Sequence, residues 1–505
     1  MKKMRYFINL VLSLVVAGSF SCQSLEENPA GVLTAETFFK TTSDLDAAVS
    51  SAYRRLTLNT WGGMANTNGW TVMFGADDIS CSRILDFHEF DVFAPSATNG
   101  RTLASSWQIP YGCILDANSV INNYDRVSGN ETFIKNRSAE AFFLRAWSYF
   151  WLVRVFGDIP MPLTTDVDYT IPLTSVSEVY NLIVSDLQFA IANLPAERGT
   201  YVGRPSVMAA KALLAQVYLT MAGWPLKDES KYALAAKEAK DVIESGQYRL
   251  LGDFADLWLD SSDNNDEVVW SIQFCNYTDC GLPVRCTFIG LNAQPSEEGG
   301  WNQLYAEVGF FNRYPDSYRK DCTFNTEFFD VTAWNNSGQT TRQYINWQNS
   351  TYNKHPFYKK FVDGYMPWET SWTGDSDHMG GRDLTYMRYA EVLLIYAEAQ
   401  AMADGAPNAM AYDCIDATRI RAGLPAINRN LSDKIAFRDA VIDERGWEFA
   451  GEYCRWFDLI RTEKVAEMNQ FKEGDDSPIV NTPDHSKYWA PIPSTEVYLN
   501  PNLQK

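Results

Sequence analysis

Apolar side chains at Ala139, Phe142, Phe143, Ala146, Trp147, Phe150 and Val153 fall at the i, i+3, i+4, i+7 spacing that lays one stripe along one face of a helix. The stretch from Arg137 to Pro162 therefore predicts an amphipathic helix. Ser138 caps its start, Glu140 sits near the positive end of the dipole, and Gly157 ends it ahead of Pro160 and Pro162. A helix this aromatic needs partner helices on most sides, so it is expected to be the spine of a large helical core.

The other helices are read against it. Residues 34–58 carry Phe38, Leu45, Val49 and Ala52 at helical spacing, and Trp107, Tyr111, Ile114 and Asn118 resume the pattern. Ser175 and Glu178 form a possible capping box before Val179, Ile183, Leu187, Ala190 and Leu194, with Pro195 as the stop. Further helices are predicted at Pro205–Ala222, Lys231–Ser245, Arg382–Ala403, Ala409–Arg421 and Leu431–Thr462. Ala139/Phe143/Ala146, Ala210/Leu214/Val217 and Ala390/Leu394/Ala397 share offsets of +4 and +7. That offset resembles the seam of tetratricopeptide helix pairs, where small residues let helices approach closely.

Two spans break the pattern. From Thr60 to Asn99 the periodicity gives way to Gly, Asn, scattered Phe and an Asp77-Asp78 pair, the composition of loops. Between Glu267 and Gly381 helical stripes are absent, and Val268-Val269-Trp270 and Thr287-Phe288-Ile289 read as short strands. Nineteen aromatic residues lie between Trp301 and Trp372, about a quarter of that span against 14% for the whole chain, more than an average core requires.

A chain of 505 residues with 46% hydrophobic residues can bury an ample core as one helical body. Its net charge of −20 argues against a nucleic-acid partner, whose phosphates would repel it, and against adsorption to an anionic membrane surface. Residues 1–21 read as a signal peptide: Lys2, Lys3 and Arg5, then the apolar run Phe7–Phe20, then small residues. Gly18-Ser19-Phe20-Ser21-Cys22 resembles a bacterial lipobox, with Ser19 where leucine is usual, so Cys22 is the expected site of lipidation. Two or more acyl chains there would hold the protein stably on a membrane. Plain secretion with Cys22 as an ordinary thiol is the alternative. Gln23-Ser24-Leu25-Glu26-Glu27 then resembles the export signal of surface lipoproteins in some Gram-negative anaerobes.

The segments Arg137–Pro162, Val179–Pro195, Gly203–Gly223, Tyr232–Tyr248, Glu267–Trp270, Arg382–Ala399, Arg419–Pro425, Glu444–Arg461 and Pro491–Leu503 together resemble the SusD/RagB family of outer-membrane nutrient-binding lipoproteins. The resemblance implies a mainly α fold: a tetratricopeptide-like scaffold of four helix pairs, a loop-rich ligand-binding remainder and a few short strands. Residues 22–505 then form one body, with scaffold helices mainly in 34–58, 107–250 and 382–462. Ligand loops would lie in 60–107 and 275–380, where no family motif aligns. The implied role is capture of a nutrient, foremost an oligosaccharide, for a partner TonB-dependent transporter barrel, with no cofactor.

A sugar site needs exposed aromatic faces beside hydrogen-bonding groups. Trp147, Trp151, Trp447, Trp456 and Trp489 lie in helical or family-like segments and are expected in the core. Trp61, Trp70, Trp301, Trp334, Trp368 and Trp372 lie in irregular, polar surroundings and are the candidate platforms. Asp77, Asp78 and Arg83 are the polar candidates, because the family's first ligand loop falls between its first two helices. The acids Glu444, Glu448, Glu452 and Asp458 are read as a structural ion-pair network with Arg445, Arg455 and Arg461, and not as catalytic carboxylates.

His88, His355, His378 and His485 form no metal spacing, and no G-x-S-x-G nucleophile motif is present. Asp260–Glu267 is acidic, but Asn265 and Ser271 stand where a calcium loop needs Gly and Glu, so a solvated loop is expected. Cys275, Cys280 and Cys286 cluster and could form a disulfide, hold a soft metal or remain thiols. Two other readings stay open: a peptide-binding protein of the same family, and a helical-toroid glycan hydrolase or lyase, which would need an acid and a base facing across a cleft.

Overall fold

The computed structural model describes residues 35–57, 69–81, 85–199, 201–274, 304–329, 344–350, 354–360, 383–472 and 481–505. Contacts divide the chain into residues 1–39, of which Ala35–Phe38 forms one helical turn, and a large unit from Lys40 to Lys505 that contains everything below. The expected signal peptide and Cys22 lie outside the described residues.

Eight helices build the scaffold: α1 (Thr42–Thr57), α2 (Gly100–Ile121), α3 (Glu131–Phe156), α4 (Val176–Asn193), α5 (Val207–Ala222), α6 (Lys231–Glu244), α7 (Tyr389–Asp404) and α8 (Ala409–Arg421). Each packs on the next, giving the four expected pairs α1/α2, α3/α4, α5/α6 and α7/α8. The repeated small residues Ala139, Ala146, Ala210, Ala390 and Ala397 are fully or almost fully buried, which is what allows the close approach. Helix α3 is the spine, buried on nearly every side from Arg137 to Phe156. Its Trp147 packs edge-on against Trp270 and Tyr386 at 5.8 and 5.5 Å.

Local signals set most boundaries. Ser175 and Glu178 close the capping box on α4, and Gly157, at φ +72°, ends α3 with its N–H on the Val153 carbonyl. Several boundaries differ from expectation. Helix α3 begins at Glu131, capped by the Asn130 side chain on Phe133 N–H, and Ser138 lies inside the helix with its hydroxyl on the Ile134 and Lys135 carbonyls. The predicted helix over residues 34–58 is interrupted before α1, where Thr41 and Asp44 cap each other's backbone. The stretch expected as one helix over Leu431–Thr462 is two, α9 (Lys434–Glu448) and α10 (Arg455–Arg461), separated by a turn in which Gly451 (φ +76°) and Tyr453 (φ +61°) are left-handed.

Eight short strands form four antiparallel pairs among the described residues. Val268–Ile272 (β2) confirms the strand read at Val268-Val269-Trp270, and its partner is Leu384–Arg388 (β8). The start of the helix predicted at Arg382 is therefore strand, because Leu384, Thr385, Tyr386 and Met387 complete a sheet with residues more than 100 positions away. The others are Ile79–Cys81 (β1) with Leu304–Ala306 (β3), Phe324–Asn325 (β4) with Phe357–Tyr358 (β7), and Glu327–Phe329 (β5) with Tyr344–Asn346 (β6). No described helix is long and apolar enough to cross a membrane.

Candidate functional site

The two irregular spans meet on one ladder. In it Ile79 pairs with Ala306, Ser80 with Tyr305 and Cys81 with Leu304. Glu307 N–H donates to the Asp78 carbonyl at 3.1 Å, and the Tyr358 hydroxyl donates to the same carbonyl at 2.5 Å. The joined spans are fastened to the elbow between α9 and α10. Asp77 takes Arg455 at 2.7 Å and Arg313 at 3.0 Å, while Asp78 Oδ2 accepts Gly451 N–H at 3.0 Å. Gly451 suits that elbow, since its backbone is left-handed and a Cβ there would meet the Tyr358 ring at 2.7 Å.

These contacts place the candidate ligand residues Asp77 and Asp78 in the interior, where both are buried and their carboxylates meet protein groups. Burial works to raise the Asp77 pKa, yet Arg455 and Arg313 outweigh it and hold the group below the usual carboxylate range. Asp78 is pushed up to about 6 by burial and then by Asp77, and its Oδ1 has no hydrogen-bond partner among the described residues. Trp70, expected as an exposed platform, is 5% exposed and packs edge-on to Trp151 at 4.9 Å and near Tyr453 at 5.7 Å. The loop reading of residues 60–99 missed this: Thr71–Met73 form a 3-10 turn and Leu85–Asp91 a short α-helix, and Trp70, Val72, Met73, Phe74 and Phe87 pack into the core.

Trp61, Arg83, Trp301, Trp334, Trp368 and Trp372, together with Thr287–Ile289 and Cys275, Cys280 and Cys286, lie outside the described residues. Their flanks are placed, however. Cys81, two positions before Arg83, and Leu304, three after Trp301, are cross-strand partners. Phe329 and Tyr344, which bracket the segment holding Trp334, are partners as well. Sheet pairing thus fixes the described flanks of Arg83, Trp301 and Trp334.

Beneath lies an ion network whose cations differ from the expected set: Arg445 and Arg461 meet Asp458, Arg455 meets Asp77, and the three glutamates take other partners. Glu448 meets Arg319, Arg388 and Arg421 at 2.5–2.9 Å, Glu444 meets Arg319 at 2.7 Å, Glu452 meets Arg388 and Lys360, and Asp458 meets Arg445 and Arg461. Burial favours the neutral form of Glu448, but the three guanidiniums prevail and its pKa is strongly lowered. Carboxylates held this way are poor proton donors and are already fully engaged as acceptors. The acidic loop at 260–267 is also tied down, for Glu267 is buried and pairs with Arg388 and Arg421.

An internal cavity of about 90 Å³ sits above this network, walled by Trp70, Trp151, Trp258, Tyr453 and Phe457. Along it runs a relay that the sequence reading missed. Arg154, held between the Phe150 and Phe457 rings at 3.8 and 3.9 Å, donates to the Tyr386 hydroxyl, which donates to Gln216, which donates to Glu391. A cation inside the aromatic stripe of α3 was the available signal. Asp383 also lines the cavity, its pKa pushed up to about 7 by burial and then by Asp263. It accepts Phe274 N–H, Asn264 and Gln273. At about 90 Å³ this space is far below the roughly 300–1,000 Å³ of small-molecule sites.

Comparison with known proteins places the chain among relatives of one kind. Residues 286–505 match the SusD family, and residues 66–219 match a family described as starch-binding associating with outer membrane. SusD-like protein P2 of Formosa agariphila is 30% identical over 100% of this chain and 99% of its own. A SusD superfamily protein from Parabacteroides distasonis superposes with a TM-score of 0.77 at 26% identity, covering 93% of this chain and 98% of that one. Surface glycan-binding protein A from Bacteroides fluxus has the same fold, with a TM-score of 0.74 at 24% identity over 91% and 97% of the two chains.

Proposed function

The chain belongs to the SusD family, and from that premise we propose that it binds an oligosaccharide at the outer-membrane surface and delivers it to a TonB-dependent transporter barrel without altering it. The observation that carries this reading is the β1–β3 ladder, which joins two aromatic-rich irregular spans and fastens them through Asp77 and Asp78 to a rigid helical body. Loops held on such a scaffold present aromatic faces at little entropic cost on binding. Trp61, Arg83, Trp301, Trp334, Trp368 and Trp372 are the ligand contacts in this proposal, and Trp70, Asp77 and Asp78 shape the base on which those loops stand. Residues 1–21 direct export, and acylated Cys22 anchors the mature chain, residues 22–505, facing outward.

Binding and release is the whole mechanism. The acids of α9 and α10 are committed to guanidinium partners, which supports a protein without turnover. The test is calorimetric titration of the wild type and of Trp301→Ala, Trp334→Ala, Trp368→Ala and Trp372→Ala with oligosaccharides from laminarin, xyloglucan and starch. Losing a platform ring should weaken binding by about 1–3 kcal/mol with an unchanged melting temperature. Wild-type protein that binds none of these glycans but does bind peptides would overturn the reading, and so would unchanged affinity in all four variants.

A further inference from the structure

A space larger than the internal cavity lies away from the joined loops. It is a cleft of about 650 Å³ on the scaffold, bounded by the α4–α5 connection at Glu197–Ser206, the end of α6 at Ser245–Tyr248 and the β2 edge. Its volume falls within the range of small-molecule sites, whereas the internal cavity does not. The α4–α5 connection is held in place: Trp270 Nε1 donates to the Gly203 carbonyl at 3.2 Å, and Gly203, at φ +79°, has no room for a Cβ against Gln273.

The lining has unspent binding capacity of both signs. Tyr201 is 48% exposed, although the Arg137 guanidinium lies 4.3 Å from its ring centroid and is itself fixed by Asp46 and Glu140. The ring is thus backed and oriented while much of it stays open. Arg198 spends one nitrogen on the Asn264 and Asn265 carbonyls, and its other N–H groups have no partner among the described residues. The exposed carboxylate of Glu197 has none either. An aromatic face with one spare cationic donor and one spare anionic acceptor suits a neutral ring bearing adjacent hydroxyls, each of which donates and accepts. The charges of Glu197 and Arg198 cancel, which disfavours a charged ligand.

We infer that this cleft is a second, independent sugar-binding site on the helical scaffold, with Tyr201 as the stacking face and Glu197 and Arg198 as the hydroxyl partners. The inference rests on the glycan-binding reading above. Its use would be retention: a polymer engaged at the loops and at the cleft dissociates far more slowly than from either alone.

The test is affinity electrophoresis through gels containing laminarin, xyloglucan or starch, with parallel calorimetry on short oligosaccharides of the same glycan and a thermal melt for each variant. Tyr201→Ala and Glu197→Ala should each weaken retention on the polymer at least about tenfold. Trp301→Ala/Trp372→Ala should keep a residual retention that adding Tyr201→Ala abolishes. Because Glu197 has no structural partner, its variant decides the matter if Tyr201→Ala lowers the melting temperature. Wild-type retention in Glu197→Ala together with Tyr201→Ala overturns the cleft assignment while leaving the loop site standing. Loss of retention in these two with full retention in the tryptophan variant supports the cleft and counts against the loops. A wild type retained by no polymer overturns both.

Discussion

Replacing Asp77 tests whether the joined loops are held by a buried ion pair or whether that carboxylate meets ligand. Asp77 and Arg455 side chains are 0% and 3% exposed and meet at 2.7 Å, so removing the acid strands a guanidinium in the interior. Arg313, at 26%, can turn to water and adds little. Breaking one side of a buried pair costs about 3–5 kcal/mol. Unfolding entropy of about 2.1 cal/mol/K per residue gives roughly 1 kcal/mol/K for a chain this long, so Asp77→Ala should lower the melting temperature by about 3–5 °C if it unfolds as one unit. Asp77→Asn keeps the shape and removes the charge. It should lose nearly as much, whereas a loss due to the cavity alone would spare it. The assay is calorimetric melting at pH 7 alongside glycan titration. If Asp77→Asn melts like the wild type but no longer binds ligand, the buried-clamp argument is refuted and Asp77 belongs to the site.

The Asp78 carboxyl should make stability depend on pH with the opposite sign from a salt-bridged acid. Its pKa rises from 3.8 to about 6 in the fold, so its contribution appears as pH falls through 6, is complete below 3.8, and is a cost while the group is ionised. Asp78→Asn is therefore expected to raise the melting temperature at pH 8, by roughly 2–3 kcal/mol in equivalent stability, and to bring no gain near pH 4; equal shifts at both values would contradict the assignment. Gly451→Ala should destabilise by at least about 1–3 kcal/mol, through a left-handed backbone and a clash with the Tyr358 ring, and a melt within 1 °C of wild type would show that the elbow can relax. Cys22→Ala should release the protein from membranes into soluble fractions, and continued membrane association in the variant would count against a lipid anchor there.

Local chemistry wrote much of the scaffold into the sequence. The capping box at Ser175 and Glu178, Gly157 after α3 and the alanine seam of three helices are interactions between residues a few positions apart, so pattern alone determined them. The charge balance in Glu444–Arg461 likewise announced a network of ion pairs. What pattern could not convey is who meets whom. Asp77 and Asp78 read as loop acids because their partners Arg455 and Gly451 lie more than 370 positions away. Leu384–Arg388 read as helix because its strand partner lies over 100 positions back. Trp70 and Phe74 read as loop aromatics because they fill a core assembled from distant elements and obey no period of their own. In each case the deciding free energy, the desolvation of a charge or the pairing of a buried backbone, exists only once the chain has closed on itself. Helix identity was therefore legible from neighbours along the chain, while the footing of the candidate site was settled by tertiary contact.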